Sequence, residues 1–408
     1  MISCLSEWEQ KHTMTAMVQL YLSFFFVYSI IAVMGPFLQV LLRNSGYSYE
    51  AVGVLLGIFE VAGIVGPLVV GRIVDKTGRL KDTVLSATGA LALGLILLVR
   101  DGPLWLTVLA LVITAFFLRS LLPLIDTVAT NRFNGNAQKY SYIRAFGTLG
   151  FVLFSLLYAA IERPVITDNI SIIRYALLGC LLFFLPVLSW KEEKMQASVE
   201  KGGKTKAKAR LFSENPWFDS AFVIGLIIIA FDRLSMSAVT SFFSLYLVEE
   251  LQITAITLMN AIAAGSELLF MVLAGYLIQK RGVLPVFLLL VSGVGMIIRL
   301  LLYASFPTLA GVIAGQLLHS VCFGFFHPAA IQLVARRVKR THRALGMSIY
   351  ISLGTGLPTV LGSSLGGFIT ERFGYKTLFQ SFSGFAMISV LLCLIFWKQM
   401  SAPALEEV

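Results

Sequence analysis

The chain has 408 residues, of which 57% are hydrophobic and only 13% are charged. Soluble proteins carry about twice that charged fraction, so this composition excludes an ordinary soluble protein and favours a chain that faces lipid. The formal net charge of +10 does not predict nucleic-acid binding, because the Lys and Arg residues lie in short gaps between apolar runs.

Twelve apolar segments are long enough to cross a bilayer, since a span needs about 20 apolar residues. The short gaps between them hold Gly, Pro, Asn and charged residues, which are typical of turns. The segments are 14–42, 51–74, 83–99, 104–129, 142–161, 172–190, 218–248, 254–279, 284–304, 309–335, 344–370 and 376–397. The sequence therefore predicts an all-α membrane protein with twelve transmembrane helices.

The longest gap, 191–217, is Lys-rich, contains no apolar run and divides the segments six and six. We interpret it as a linker between two six-helix bundles, which occupy residues 1–190 and 218–408. The gaps after even-numbered segments hold several times as many Lys and Arg residues as the gaps after odd-numbered ones. By the positive-inside rule, both termini and the linker are expected in the cytoplasm.

The two bundles share short sequence matches, which indicate an internal repeat. Four residues at the gap after segment 2 recur 204 positions later, and two residues near the end of segment 4 recur 205 positions later. They are Gly71, Lys76, Gly78, Leu80, Pro123 and Arg132. Such repeats place a solute site at the membrane midplane between the halves and allow alternating access by rocking one half on the other.

The stretch GRIVDKTGRLK, residues 71–81, resembles the loop signature G-x-x-x-D-[RK]-x-G-R-x-[RK] of the major facilitator superfamily. It follows the second of twelve segments, and a degenerate copy follows the eighth. The resemblance covers essentially the whole chain and implies the major facilitator fold, which has two pseudo-symmetric six-helix bundles. It assigns a gating-loop role to Gly71, Asp75, Lys76, Gly78 and Arg79.

A closer resemblance is to the lactose permease and phenylpropionate permease branch, whose members are proton symporters. It lies in the Phe-rich stretch 21–37 and in stretches 142–151, 265–269 and 316–327. The resemblance implies a proton-coupled symporter for a small organic solute.

The same resemblance implies roles for single residues. Asp126 and Arg144 would bind the solute, and the ring of Phe151 would form a platform beneath it. Glu267 and His319 would serve both solute binding and proton coupling.

Other positions extend this predicted site and leave its specificity open. Arg299 retains the arginine of the coupling site, and Asp126 is a further coupling candidate. Arg119 and Arg233 are additions that would suit an anionic solute. The departures from the lactose permease are Phe151, Phe270, Gln316 and Cys322. The solute class therefore stays open between a sugar, a nucleoside and an aromatic acid.

Charged residues inside the apolar segments carry most of this interpretation. Each costs about 2.5–3.5 kcal/mol at mid-helix, so pairing or a polar cavity is expected. Four acids balance four arginines: Glu60, Asp126, Asp232, Glu267, Arg119, Arg144, Arg233 and Arg299. The alternative is that some of them only lock helices together.

Arg119 and Asp126 lie seven residues apart on one helical stripe. We expect Asp126 to pair with Arg144 across a short loop when no solute is bound.

Segment 5 combines a cation, small residues and an aromatic ring. Arg144, Gly147 and Phe151 form one stripe of the predicted helix. A guanidinium beside an aromatic face suits a polar ring-shaped or carboxylate-bearing solute, because Arg offers a rigid fork of donors. The small Gly147 and Gly150 would let this helix approach a neighbour closely.

Two histidines lie on segment 10. Gln316, His319, Cys322 and Phe326 share one stripe of an α-helix, whereas His327 is rotated off it. We interpret His319 as lining a cavity and His327 as structural. A membrane histidine that only bonds a neighbouring helix is the alternative for either residue.

The sequence does not contain the motifs of other classes of membrane protein. The sequence has neither an H-E-x-x-H zinc helix nor a G-x-S-x-G elbow, so an enzyme is not expected. The stretch 202–205 resembles the end of a phosphate loop, but Ser198 stands five residues before Gly203, where such a loop needs its first glycine. This argues against an ATP-driven pump. The sequence contains no repeated filter motif, so a channel is not expected. The four cysteines show no metal-ligand spacing, so no metal or cofactor is expected.

The sequence therefore predicts a secondary active transporter that takes a small-molecule substrate and a proton. Its surroundings are expected to be the lipid of the cytoplasmic (inner) membrane, where it would act as a monomer. Antiport or facilitative exchange of an organic anion is the alternative mode of transport.

Overall fold

A computed structural model describes residues 2–99, 102–132, 137–161, 168–190, 217–339 and 342–403. The helices are α1 Ile2–Asn44, α2 Tyr49–Thr77, α3 Leu80–Leu98, α4 Leu104–Arg132, α5 Ala137–Ile161, α6 Asn169–Leu188, α7 Ser220–Leu245, α8 Ile256–Arg281, α9 Pro285–Ser305, α10 Leu309–His319, α11 Phe326–Arg337, α12 Arg343–Ile349, α13 Leu357–Ile395 and α14 Trp397–Met400. Three π-helical segments continue α7, α10 and α12: π1 Tyr246–Glu250, π2 Ser320–Phe325 and π3 Tyr350–Gly356.

Eleven helical stretches in the described part of the chain are long and apolar enough to cross a membrane. The last, Leu345–Ile395, has 51 residues. A straight helix of that length would measure about 77 Å, more than twice the ~30 Å hydrocarbon core. Gly374 interrupts it with φ 75° and ψ 176°, a conformation essentially restricted to glycine. The stretch therefore supplies two spans, and the predicted all-α fold of twelve membrane helices is confirmed.

The chain divides into two compact units. Unit 1 holds residues 1–45 and 58–202, and unit 2 holds residues 46–57 and 203–408. The first turns of α2 thus group with unit 2, whereas the sequence assigns the whole second segment to the first bundle. The predicted linker 191–217 lies outside the described residues except for Trp217, so the linker stays a prediction.

In unit 1, α1 packs against α5 and α6, and α3 packs against α4 and α6. The predicted close approach of α5 to a neighbour is confirmed, and the neighbour is α1. A Cβ atom at Gly150 would lie 2.4 Å from the Phe25 carbonyl oxygen, and one at Gly147 would lie 2.5 Å from the Tyr28 ring. Any larger residue at either position would separate the two helices.

In unit 2, α13 packs against α7 and α9, and α8 packs against π2. Asp219 starts α7 by accepting a hydrogen bond from the Phe222 N–H at 2.9 Å, a common capping arrangement. Asp219 also pairs with Arg337 at 3.2 Å. The Arg337 guanidinium donates to the carbonyl oxygens of Met400 at 2.7 Å and Ala402 at 2.8 Å. This arginine therefore joins the start of α7, the end of α11 and the chain after α14.

Candidate functional site

Arg299 on α9 is the centre of a polar cluster inside unit 2. Only 1% of its surface is exposed, and a buried cation needs partners. Its Nε donates to the Tyr303 hydroxyl at 3.1 Å, and its Nη2 donates to the Gln316 Oε1 atom at 2.8 Å. Its Nη1 lies 3.0 Å from His319 Nδ1. Three helices, α9, α10 and their neighbour α7 through Met236, thus meet at one guanidinium.

His319 connects this guanidinium to a carboxylate. Its Nε2 lies 3.3 Å from Glu267 Oε2, and both side chains are largely buried. A guanidinium can only donate hydrogen bonds, so the Nδ1 atom facing Arg299 must accept. The imidazole proton then sits on Nε2 and points at Glu267. The sequence therefore identified a real cluster, in which Glu267, His319 and Arg299 form a row in that order.

The π-helical segment π2 begins directly after His319. Phe323 stacks on His319 with a centroid distance of 5.5 Å, and His327 stacks on Phe323 at 5.8 Å. The α-helical spacing predicted that His327 is rotated off the His319 stripe. Side chains four residues apart also meet on an α-helix, so these two stacks do not test that prediction, and it stays a prediction.

Asp232 and Arg233 on α7 form a second buried pair in unit 2. The Arg233 Nη2 to Asp232 Oδ2 distance is 2.9 Å, and the guanidinium carbon lies 3.7 Å from the centroid of the Phe326 ring. Asp232 Oδ1 and Arg233 Nε have no hydrogen-bond partner among the described residues. The aromatic face supplies part of the stabilisation that the missing hydrogen bonds do not.

Glu60 and Arg119 form the corresponding pair in unit 1, between α2 and α4. The Arg119 Nη2 to Glu60 Oε1 distance is 2.7 Å, and the side chains are 50% and 25% exposed. This contact is one example of the predicted pairing of an acid with an arginine. Because Arg119 already has a carboxylate partner and is half exposed, it is the weakest of the predicted binding residues.

Arg144, Asp126 and Phe151 occupy α4 and α5 in unit 1. The Arg144 guanidinium carbon lies 5.3 Å from the centroid of the Tyr28 ring, and its Nη1 has no hydrogen-bond partner among the described residues. The expected Asp126–Arg144 ion pair is absent from the ion pairs of the described residues. The guanidinium instead lies against the Tyr28 ring of α1, and α5 approaches α1 closely at Gly147.

Asp126 and Phe151 are each partly buried. Asp126 lies on α4, whereas Phe151 lies on α5 as Arg144 does. Their roles in solute binding stay predictions.

The predicted gating loop forms the turn between α2 and α3. Gly71 and Asp75 lie on the last turns of α2, and Lys76 is in its final turn. Gly78 adopts φ +66°, the left-handed conformation that ends helices, and Arg79 pairs with Asp82 at 2.7 Å. Gly282, which the repeat aligns with Gly78, ends α8 with φ +65°. The two glycines matched by the repeat therefore share one backbone conformation.

Two aromatic residues of these clusters were missed by sequence reasoning. Tyr303 lies four residues after Arg299 on one helix, a spacing that brings side chains together, so this contact could have been predicted. Tyr28 is part of the Phe-rich first segment. Its position beneath Arg144 depends on how α1 meets α5, and no local pattern reports that.

Comparisons with known proteins agree with the helical architecture. The family model described as MFS_1 like family matches residues 17–381. The chain is 27% identical over 369 residues to the uncharacterized transporter YwbF of Bacillus subtilis (strain 168), covering 89% of this chain and 87% of that protein. It is 25% identical over 384 residues to the maltose permease of Geobacillus stearothermophilus, covering 93% and 94%.

A crystal structure of a mutant of the nucleoside transporter NupG superposes with a TM-score of 0.80. The identity is 18%, and the match covers 94% of this chain and 99% of that one. At this identity the likeness concerns the fold alone. Together the matches place the described helices in a known transporter architecture.

Proposed function

The chain belongs to the MFS_1 like family, and on that premise we propose that this multi-pass membrane transporter is a proton-coupled symporter of a small organic solute. Alternating access would carry the solute and the proton across the bilayer together. The observation that supports the proposal best is the buried row of Glu267, His319 and Arg299 in unit 2.

Within this row, the proposed proton carrier is Glu267. His319 already holds its proton on Nε2, and a second proton on Nδ1 would face the Arg299 guanidinium and break their contact. A proton on Glu267 meets no such obstacle. Protonation would remove the negative charge at one end of the row and leave Arg299 with neutral neighbours, which changes the electrostatic balance of the site. His319 is then a positioning residue that transmits the change to Arg299.

The proposed solute site is Arg144 with Tyr28, together with the sequence-predicted Asp126 and Phe151. An arginine that retains an unsatisfied N–H beside a ring face suits a solute with hydroxyl, carbonyl or carboxylate oxygens on a flat ring. Sugars, nucleosides and aromatic acids all meet this description. A maltose permease and a nucleoside transporter stand among the similar proteins, so maltose and uridine are the first solutes to try.

Antiport or facilitative exchange of an organic anion is the second candidate. It is favoured by the same Arg144, whose guanidinium has no carboxylate partner among the ion pairs of the described residues. An anion would supply that partner. In this mode a pH gradient would not drive accumulation, so one assay separates the two candidates.

The proposed location is the inner membrane, with both termini and the segment 191–217 in the cytoplasm and with the monomer as the working unit. A cysteine at Ser198, in a background without the four native cysteines, tests this orientation. A membrane-impermeant thiol reagent should label it only after the cells are permeabilised. Labelling in intact cells would reverse the orientation.

The coupling proposal is tested in proteoliposomes that contain a pH-sensitive dye. We first expect a thermal-shift screen of sugars, nucleosides and aryl acids to find a stabilising solute, because a ligand that binds the folded state raises its Tm. Adding that solute outside should then acidify the lumen. Glu267→Gln should abolish accumulation driven by a pH gradient and retain solute exchange at equal concentrations. Glu250→Gln, at an exposed position, should retain both accumulation and exchange. Full accumulation in Glu267→Gln would remove Glu267 from the coupling site.

A further inference from the structure

The π-helical segment π2 connects two helices that are each held by contacts of their own. On α10, Gln316 accepts a hydrogen bond from Arg299 at 2.8 Å. On α11, the ring centroid of Phe326 lies 3.7 Å from the guanidinium carbon of Arg233. An α-helical path over the residues of π2 would turn one helix relative to the other by about 100°, the rotation of one residue, and would break one set of contacts. The wide register of π2 therefore allows both sets to form.

A hydroxyl of α9 bonds the backbone of π2. Ser292 is fully buried, and its Oγ donates to the Cys322 carbonyl oxygen at 2.7 Å. Three residues further along α9, a Cβ atom at Gly295 would lie 3.0 Å from the Val321 side chain, so α9 and π2 approach each other closely here. Rotation of π2 would move the carbonyl away from the hydroxyl and leave both groups buried without a partner. Ser292 therefore favours the register that π2 has.

Gly324 brings another side of π2 against α8. A Cβ atom at this position would lie 2.7 Å from the Phe270 Cβ atom and 3.1 Å from the Glu267 carbonyl oxygen. Gly324 therefore rests on the same turn of α8 that carries the Glu267 side chain. A residue with a side chain at position 324 would push π2 away from this turn. It would thereby disturb the contact of 3.3 Å between His319 Nε2 and Glu267 Oε2.

We propose that Ser292 and Gly324 are positioning residues that hold π2 in its π-helical register. In that register His319, the last residue of α10, lies between Glu267 and Arg299. Because His319 directly precedes π2, an α-helical rearrangement of π2 would move either the imidazole or the helix that follows. The effect on transport rests on the proposed proton coupling, whereas the geometry at His319 can be measured without any solute.

Ser389 on α13 provides a matched control for Ser292. Its hydroxyl is also buried and also donates to a carbonyl oxygen of a neighbouring helix, that of Ile228 at 3.0 Å. That carbonyl belongs to α7, whose turn at this residue is α-helical. Each Ser→Ala variant loses one buried hydrogen bond, so the two should lower Tm by similar amounts. Only Ser292→Ala should also change the geometry at His319.

The first test observes the histidine itself by NMR. Full-length protein with ¹⁵N-labelled histidine contains four labelled side chains, and the His319→Gln variant identifies the signal of His319 by removing it. The contacts of His319 place its proton on Nε2, and the two ring nitrogens differ according to which of them carries the proton. We expect this single tautomer in the parent protein and in Ser389→Ala. Ser292→Ala should show a mixture of both tautomers, because the imidazole is no longer held between its two partners.

A second pair of variants tests the contact with α8. Gly324→Ala should produce the same mixture of tautomers as Ser292→Ala, although it leaves every side-chain hydrogen bond in place. Its control is Gly225→Ala on α7, where a Cβ atom would lie 2.6 Å from the Leu333 side chain. That contact is equally crowded but does not involve π2, so the His319 signal should stay unchanged.

The second test separates positioning from folding in proteoliposomes, with maltose and with uridine as the solutes. Ser292→Ala should lower accumulation driven by a pH gradient about fivefold, which is within the range of mutations along a coupling network. Solute exchange at equal concentrations should stay near the parent rate, because exchange does not require a proton to be released. Ser389→Ala should change neither. An equal loss of accumulation and exchange in Ser292→Ala would show a structural role only.

The NMR result decides the proposal independently of transport. A single tautomer in both Ser292→Ala and Gly324→Ala would disprove the positioning role. So would the same mixture in Ser389→Ala and Gly225→Ala, because any buried defect in unit 2 would then be sufficient. Absence of proton coupling in the parent protein would overturn the proposed function and leave the result on the histidine intact. Conversely, a parent protein that couples protons, with an unaltered histidine in both π2 variants, would retain its proposed function without these two positioning residues.

Discussion

The charged side chains inside the predicted membrane spans differ between the two units in their burial and in their hydrogen-bond partners. In unit 2, the N–H groups of Arg299 face three polar side chains, those of Tyr303, Gln316 and His319. The row that Arg299 forms with His319 and Glu267 is largely buried. In unit 1, the ion pair of Arg119 is half exposed, and Arg144 keeps a donor without a hydrogen-bond partner among the described residues.

This difference is the basis on which we propose different roles for the two units. A closed row of donors and acceptors can hold a proton away from water and respond to its arrival or departure. A guanidinium with an unused donor beside an aromatic ring can instead accept an oxygen from outside the protein. The comparison supports the proposal that unit 2 couples the proton and unit 1 recognises the solute, and mutation can test each part of it.

The largest expected effect is the loss of Arg299. Arg299→Leu would leave Gln316, His319 and Tyr303 without their donor in a buried place, and removal of one partner of a buried charged network costs about 3–5 kcal/mol. We expect a clear fall in Tm in detergent. Arg119→Leu breaks a half-exposed pair, which is worth about 0–1 kcal/mol, and should barely change Tm. Equal losses in the two variants would contradict the contrast between the units.

A smaller effect is expected at Arg144. Arg144→Lys keeps the charge and loses the planar fork, so affinity for the solute found in the screen should fall about tenfold, or about 1.4 kcal/mol. Asp126→Asn should lower affinity by a similar factor. Because the structure does not pair the two side chains with each other, their effects should add within about 0.5 kcal/mol in the double variant. A strongly non-additive result would restore the Asp126–Arg144 pair.

The smallest effect is expected from one added methyl group. Gly147→Ala would place a Cβ atom 2.5 Å from the Tyr28 ring and push this ring away from Arg144. Overpacking of this kind costs about 1–3 kcal/mol, and solute affinity should fall less than in Arg144→Lys. Gly265→Ala on α8 is the control, since nothing lies within 4 Å of its Cβ position. Unchanged affinity and Tm in Gly147→Ala would show that Tyr28 does not help to place Arg144.

The fold was predictable because its signals are local. Apolar run length gives each span, and a charged gap or a glycine marks each turn. The break at Gly374, for example, falls between the predicted segments 344–370 and 376–397, and the matched glycines Gly78 and Gly282 share one backbone conformation.

The site was predictable only in part. Family resemblance supplied Glu267, His319 and Arg299, which the structure brings together. The π-helical segment after His319 was not predicted, because a π-helical turn leaves no simple mark in the sequence. The expected Asp126–Arg144 pair is not among the ion pairs of the described residues, and the contact of Arg144 with Tyr28 depends on how α1 meets α5. Geometry that depends on how helices meet is set by tertiary packing, and no single segment encodes it.

The break at Gly374 also bears on how the protein is made. During synthesis the insertion machinery receives Leu345–Ile395 as a stretch of 51 mostly apolar residues. The charged residues near the glycine are Glu371, Arg372 and Lys376, and all three are exposed in the folded protein. A chain that bends there enters the bilayer as a hairpin and returns its C-terminus to the side from which it came. A residue with a side chain at position 374 would resist that bend at a cost of about 1–3 kcal/mol. One backbone angle thus helps to decide on which side of the membrane the last residues of the protein are delivered.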